Sequence, residues 1–422
     1  MSTAIGLYRA VTGLFEPAAG GLLGRRAGRG KEDPQRIGER LGRASVPRPE
    51  GPLAWLHGVS VGEALSLLPL VERLREDRPE LNLLVTSGTL TSAELLARRL
   101  PGGVLHQFAP VDAPRAVARF LDHWRPDLGV FVESELWPNL ILGAKARGVK
   151  LALVSARITE RSARGWRRLP GAARTLLGGF DLVLSQDEET DARLSRLGRA
   201  PDGRLNLKYA GEAPPFDAEA LAALRKEAGA RPVLLAASTH AGEEELVLEA
   251  FSALQASEDA TPLLVIVPRH PERGEAVAEL SRDTGFNTGR AGEGDSFSRN
   301  CDVFIADRLG ELGLWFRLAR SAFLGGSLRP RIGGHNPLEA VLVGAPVVSG
   351  DKIDNWTSVY ADLQREGVAT LLADSASLTG AWQAALDAQP DREAIAAKAE
   401  AVRQARRREF ESAVDRLEAM LP

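Results

Sequence analysis

A chain of 422 residues is too long for one ordinary hydrophobic core, so its length alone argues for two domains. With 44% hydrophobic and 26% charged residues it has the balance of a soluble globular protein, and a net charge of -3 argues against nucleic acid as a partner. The lone cysteine, Cys301, excludes an intrachain disulfide and any multi-cysteine metal cluster.

The first residues, Ala4 to Leu23, are apolar in patches interrupted by Arg9, Glu16 and Pro17, and they lack the continuous apolar run of a signal peptide. Arg25, Arg26, Arg29 and Lys31 follow. An apolar stretch abutting a basic cluster predicts a segment that lies on an anionic membrane surface. The alternative is a helix that packs on its own domain. From Pro52 onward short apolar runs alternate with helical patterns, as βα units do. Leu53–Val59, Leu83–Thr86, Val104–Phe108, Leu128–Val132, Leu151–Val154 and Leu182–Leu184 read as strands. Glu63–Arg75, Ser92–Leu100, Pro114–Trp124 and Trp137–Arg147 read as helices between them. Strands that are apolar on both faces imply a parallel sheet covered by helices.

A second series follows the Ala- and Pro-rich loop at Gly211–Phe216. Its strands are Val233–Ala237, Leu263–Val267, Val303–Ala306, Ser321–Leu324 and Pro346–Val348. Its helices are Glu243–Gln255, Glu272–Asp283, Gly310–Leu318 and Pro337–Val343. The predicted organisation is a lead-in over residues 1–50, Rossmann-like domains over 51–210 and 211–393, and a charged C-terminal helix over 394–422 that packs back on the first domain. The fold class is α/β, with two Rossmann-like domains facing a cleft at the carboxyl ends of their strands.

The polar residues gather in the loops after strands. Gly325 to Glu339 follows one strand and opens a helix near Pro337; its glycines and unpaired N–H groups predict a phosphate cradle. The plainer reading is a turn with Asn336 as the helix cap. Ser238–Glu243, Pro268–Arg273 and Asp307–Leu312 follow three other strands, and each by itself is equally well a cap. Arg269 offers a planar fork to a phosphate. The histidines lack the close paired spacing of a metal site, so no metal or other cofactor is expected. In the first half, Ser60-Val61-Gly62-Glu63 is by spacing a capping box; its place after a strand leaves a general-base role open to Glu63. Glu133 and Glu135 flank Ser134 beside Trp137, and Arg157, Arg161 and Arg164 supply a basic patch further on. Lys208 lies near the presumed hinge.

Taken together these motifs resemble the Kdo transferases, which move 3-deoxy-D-manno-octulosonic acid (Kdo) onto lipid A precursors in lipopolysaccharide assembly. The resemblance is carried by Arg36-Ile37-Gly38-Glu39-Arg40, Gly58–Glu63, Glu133–Asn139, Pro268–Arg273 and Gly334–Glu339, in that order. It implies a GT-B glycosyltransferase, with CMP-Kdo as donor, lipid IVA as acceptor and inversion at the anomeric carbon. It implies that Glu63 is the general base and that Glu133 and Lys208 stabilise the transition state. It places CMP on Pro268, Arg269, Gly310, Glu311, Leu312, Asn336, Pro337, Leu338 and Glu339. It also implies residence on the cytoplasmic face of the inner membrane. The chain departs from the family in its diluted N-terminal apolar run, in Asp307-Arg308-Leu309, and in Arg329 and Arg331. Two competing readings are a nucleotide-sugar epimerase of the same shape and a non-catalytic carbohydrate- or lipid-binding relative. An NAD-dependent oxidoreductase is disfavoured, because no G-x-G-x-x-G follows the first strand of either half.

Overall fold

The computed structural model describes residues 2–255, 262–297 and 300–422. It divides into two compact units, Met1–Ala210 with Arg406–Pro422, and Gly211–Ala405.

The first unit holds seven parallel strands: β1 (Leu53–His57), β2 (Asn82–Ser87), β3 (Leu105–Phe108), β4 (Leu128–Val132), β5 (Lys150–Ala156), β6 (Leu182–Ser185) and β7 (Gly203–Arg204). Their spatial order is β3-β2-β1-β4-β5-β6-β7, the doubly wound order with its reversal between β1 and β4. β1 and β4 are buried along their whole length, as a sheet covered on both faces requires. One face packs Trp55, Phe120, Trp124 and Phe131 into a single cluster. The other gathers Leu70, Leu74 and Val130, together with Ala413, Val414 and Leu417 from the C-terminal helix Arg392–Glu418.

The second unit repeats the plan with β8 (Val233–Thr239), β9 (Leu263–Pro268), β10 (Thr288–Arg290), β11 (Val303–Ile305), β12 (Ser321–Leu324), β13 (Val347–Ser349) and β14 (Ala369–Leu371). Their order is β10-β11-β9-β8-β12-β13-β14, all parallel, with the reversal between β8 and β12. Leu234, Ala236, Phe251, Ile266 and Trp382 belong to its core.

Three strands escaped the sequence reading: β7, β10 and β14, of two or three residues each and all at or next to a sheet edge. Such edges carry too few apolar residues to show a period. Two helices are shorter or broken relative to expectation. The run Glu63–Arg75 divides at Leu67 into Val61–Ser66 and Leu68–Asp77, with Pro69 in the first turn of the second. After Pro337 the helix is a single turn, Leu338–Val341.

The N-terminal helix, Thr3–Ala27, has two distinct faces. One packs on the first unit: Ile5 and Leu23 are buried, Tyr8 donates to Asp112 (3.0 Å), and Glu16 accepts from the Arg115 N–H (3.0 Å). The other leaves Leu7, Val11, Leu14, Phe15 and Leu22 exposed, with Leu14 at 76% and Phe15 at 65%. Their spacing of three, four and seven residues puts them on one stripe. Among the described residues no helix is long and apolar enough to cross a membrane.

Candidate active site

In the first unit the polar residues leave the sheet from three adjacent strands, β1, β4 and β5. The chain leaving β1 turns at Gly58, where a Cβ would stand 3.1 Å from Glu63 backbone and side-chain atoms, and enters the helix Val61–Ser66. Both halves of the capping box form. The Glu63 N–H donates to Ser60 Oγ at 3.3 Å, and Glu63 Oε2 accepts from the Val59 and Ser60 N–H groups at 2.6 and 3.1 Å. A cap of this kind is worth about 1 kcal/mol. The cap uses Oε2 alone; Oε1 accepts no hydrogen bond among the described residues. Cap and base are therefore compatible roles for one carboxyl. Burial, and secondarily the neighbouring Glu133, raises the Glu63 pKa, while the backbone donors oppose the shift.

Glu133, the residue just after β4, has a left-handed φ of 53°, and Ser155, the last residue but one of β5, has a φ of 48°. For residues with a Cβ this conformation costs about 1–2 kcal/mol, and such strain concentrates at functional sites. It turns the Glu133 carboxylate onto Lys208, with Nζ 3.5 Å from Oε1. Lys208 sits on the 3-10 turn Leu207–Ala210 with its side chain only 11% exposed, and burial lowers its pKa. Three expected site residues, Glu63, Glu133 and Lys208, thus share one corner of the first unit. Two further residues belong there that sequence reasoning did not assign: Glu135, which accepts from the Trp137 indole N–H, and His57 on β1, whose Nε2 lies 3.9 Å from Glu135 Oε2.

In the second unit the four polar loops follow β11, β9, β8 and β12, which are consecutive neighbours in the sheet. Pro268 closes β9 and Arg269 stands exposed just beyond it. Gly310 has φ of 87° and Glu311 stands at the N-cap position, with no side-chain capping bond, of the helix Leu312–Leu318, which packs against Leu338–Val341. Asn336 Oδ1 accepts from the Leu338 N–H at 3.1 Å, and its amide donates to Glu339 Oε1 at 3.1 Å. Asn336, one residue before the N-cap position Pro337, thus makes an Asx turn onto the first helical N–H and orients Glu339.

The Gly-rich segment requires one correction. Its first amides are not an open cradle, because the fully buried Glu243 carboxylate already fills them. Oε2 accepts from the Gly326 and His240 N–H groups at 2.7 and 3.1 Å, and Oε1 from the Ser327 and Leu328 N–H groups at 3.0 and 2.9 Å. Gly325 is required for this approach, since a Cβ there would fall 2.6 Å from the Ser238 carbonyl and 3.0 Å from Glu243 Oε2. Glu243 takes none of the amides from Gly333 onward, and the helix that follows is a single turn whose dipole is small. Glu243 looked like a first-turn helix cap in sequence, and nothing local marks its partners more than eighty residues away.

The fold also pairs histidines that sequence spacing keeps apart. His240 Nε2 and His335 Nε2 are 2.8 Å apart with their rings parallel, and burial takes His335 down to about 3. His270 faces His240 edge-on at 6.0 Å. Among the described residues no group of three or more His, Cys, Asp or Glu is placed to hold a metal ion.

Two parallel-sheet α/β units, each with its polar loops at a topological switch point, have the GT-B fold. The fold is shared with a glycosyltransferase from Rickettsia africae at a TM-score of 0.60 and 11% identity, covering 88% of this chain and 99% of that one. Residues 35–210 match the family described as 3-deoxy-D-manno-octulosonic-acid transferase (kdotransferase). A 3-deoxy-D-manno-octulosonic acid transferase of Bordetella pertussis is 38% identical, covering 84% of each chain, and one of Haemophilus influenzae is 34% identical, covering 86% of each. The chain belongs to the 3-deoxy-D-manno-octulosonic acid transferase family. The epimerase and oxidoreductase readings are thereby set aside.

Proposed function

We propose that this Kdo transferase takes its sugar from CMP-Kdo and places it, with inversion and release of CMP, on a lipid A precursor of the lipid IVA type. The observation that carries the reading is Glu63: one carboxylate oxygen is held by two backbone N–H groups and the other is open. That oxygen takes the proton of an acceptor hydroxyl as the hydroxyl oxygen bonds to the anomeric carbon. The bond to the CMP phosphate breaks on the opposite face, and its electrons leave with the phosphate. The Glu133–Lys208 pair supplies both signs of charge, suited to an oxocarbenium-like centre and a departing anion. In this reading the first unit binds the acceptor and the second binds the nucleotide, through Pro268, Arg269, Gly310, Glu311, Leu312 and Asn336 to Glu339. No step is routed through a metal ion. Incubation with CMP-Kdo and a tetraacylated lipid A precursor, followed by mass spectrometry, tests the reading. The expected product is heavier by one or more Kdo residues, and an unmodified lipid would overturn it.

The exposed stripe of the Thr3–Ala27 helix, followed by Arg25, Arg26, Arg29 and Lys31, supports attachment to an anionic membrane, as at the cytoplasmic face of an inner membrane. Leu14→Asp with Phe15→Asp removes apolar area without touching the packed face. At about 25 cal/mol per Å² of apolar surface, two such side chains contribute roughly 3 kcal/mol or more. The double variant is expected to move from anionic vesicles to the supernatant in a flotation assay while its melting temperature holds. Continued flotation would show that the stripe is not the attachment.

A further inference from the structure

Three carboxyls, Glu63, Glu133 and Glu135, meet at the carboxyl end of β1 and β4, and the structure treats them unequally. Glu133 has the Lys208 ammonium at 3.5 Å. Glu63 has two backbone N–H donors on Oε2. Glu135 has neither a cation nor a backbone donor; among the described residues its hydrogen-bond partner is the neutral Trp137 indole, and its side chain is 13% exposed. Facing it at 3.9 Å is His57 Nε2, a buried ring nitrogen with no hydrogen-bond partner among the described residues. His57 does not supply a charge. Its Nδ1 is engaged with Thr86 Oγ1 at 2.9 Å, its ring packs edge-on to Phe131 at 5.1 Å, and burial takes it down to about 3.

We propose that Glu135 works in its acid form, as the proton-holding neighbour that leaves Glu63 to carry the negative charge on this side of the site. The proposal rests on the reading of Glu63 as the base. Glu135 keeps its own proton through the cycle, and the proton leaving the acceptor hydroxyl goes to Glu63. The charged and titratable groups around Glu135 all bear on this. Burial first, then Glu63 from the helix Val61–Ser66 and, more weakly, Glu133 from the same turn disfavour a carboxylate there against the Trp137 indole donor, so that Glu135 is pushed up to about 7. Lys208 is committed to Glu133, with Arg157 lowering its proton affinity further, and Arg40 disfavours a charge on His57. A second ionised carboxylate beside Glu63 would repel an anionic donor, a nucleotide phosphate linked to a carboxylate sugar. Above neutrality Glu135 ionises and transfer slows.

The test compares kcat/KM across pH for the wild type, E135Q and E63Q. Gln is isosteric with the protonated acid and cannot ionise. The ratio of E135Q to wild type is expected to climb by close to tenfold per pH unit above neutrality, because the alkaline decline belongs to the wild type alone. A ratio that stays level with pH shows a purely structural role, and a ratio that falls shows that the carboxylate form is the active one; either overturns the proposal. E63Q separates the two readings, since retained turnover there removes the base assignment whatever E135Q does. Should E135Q fail to fold, infrared difference spectra of the wild type between pH 6 and 8 decide: a carboxylic acid band lost through neutrality supports the proposal, and its absence overturns it.

Discussion

Glu63→Gln is expected to lower kcat by roughly 10²- to 10⁴-fold, the usual effect of removing a general base, while nucleotide binding persists. The substitution separates two roles that the sequence merges. The Gln carbonyl can still accept from the Val59 and Ser60 N–H groups, so the cap and the fold should survive. The amide NH₂ then stands where the open carboxylate oxygen was, and it cannot take a proton. Single-turnover transfer, nucleotide titration and thermal unfolding on the same sample check all three statements. Lost nucleotide binding, or turnover within a few-fold of wild type, would defeat the assignment. The pH dependence has a definite sign. Burial raises the Glu63 pKa, so activity should appear as pH rises through a midpoint above the ordinary glutamate range. In E63Q that acid limb should vanish with the activity.

Glu243→Ala is expected to have the largest effect on stability. Its carboxylate is fully buried and satisfies four backbone N–H groups, those of His240, Gly326, Ser327 and Leu328. Each buried donor left without a partner costs about 1–3 kcal/mol. The four donors sit in one network, so their losses will not simply add, and about 3–5 kcal/mol is the expected total, less than four separate donors would cost. Denaturant titration of the second unit checks it. A loss under about 1 kcal/mol would mean that the Gly325–Leu328 turn holds itself. Glu243→Gln should fall between, because the amide keeps one acceptor oxygen but points its NH₂ at backbone donors.

Much of the candidate site was legible because the chemistry falls where strands end. Ser60–Glu63, Glu133–Asn139, Pro268–Arg273 and Asn336–Glu339 are polar clusters directly after apolar runs, and such a boundary is a local property of the chain. Glu63 was ambiguous for a local reason too: the spacing that suits a capping box suits a base on a loop. The structure forms the capping box on one oxygen of the carboxyl and leaves the other without a hydrogen bond among the described residues. By contrast, nothing near Glu243 points to Gly326, and nothing near His240 points to His335. Those partners are set by β8 and β12 lying side by side, a consequence of the order of strands in the sheet.

By itself the sequence determined two α/β halves, the strands of their centres, and the loops that carry Glu63, Glu133, Lys208, Arg269 and Asn336. Apolar periodicity and strand-end polarity are short-range, so one chain suffices to read them. The tertiary structure decided which side chains satisfy one another. It filled the front of the Gly-rich segment with Glu243, which takes the Gly326, Ser327 and Leu328 N–H groups. It set Lys208 on Glu133 and left Glu135 against His57 Nε2, a ring nitrogen with no hydrogen-bond partner among the described residues. Each of these depends on burial and on contacts between residues far apart in the chain, because a buried charge or donor takes whatever partner the fold brings to it.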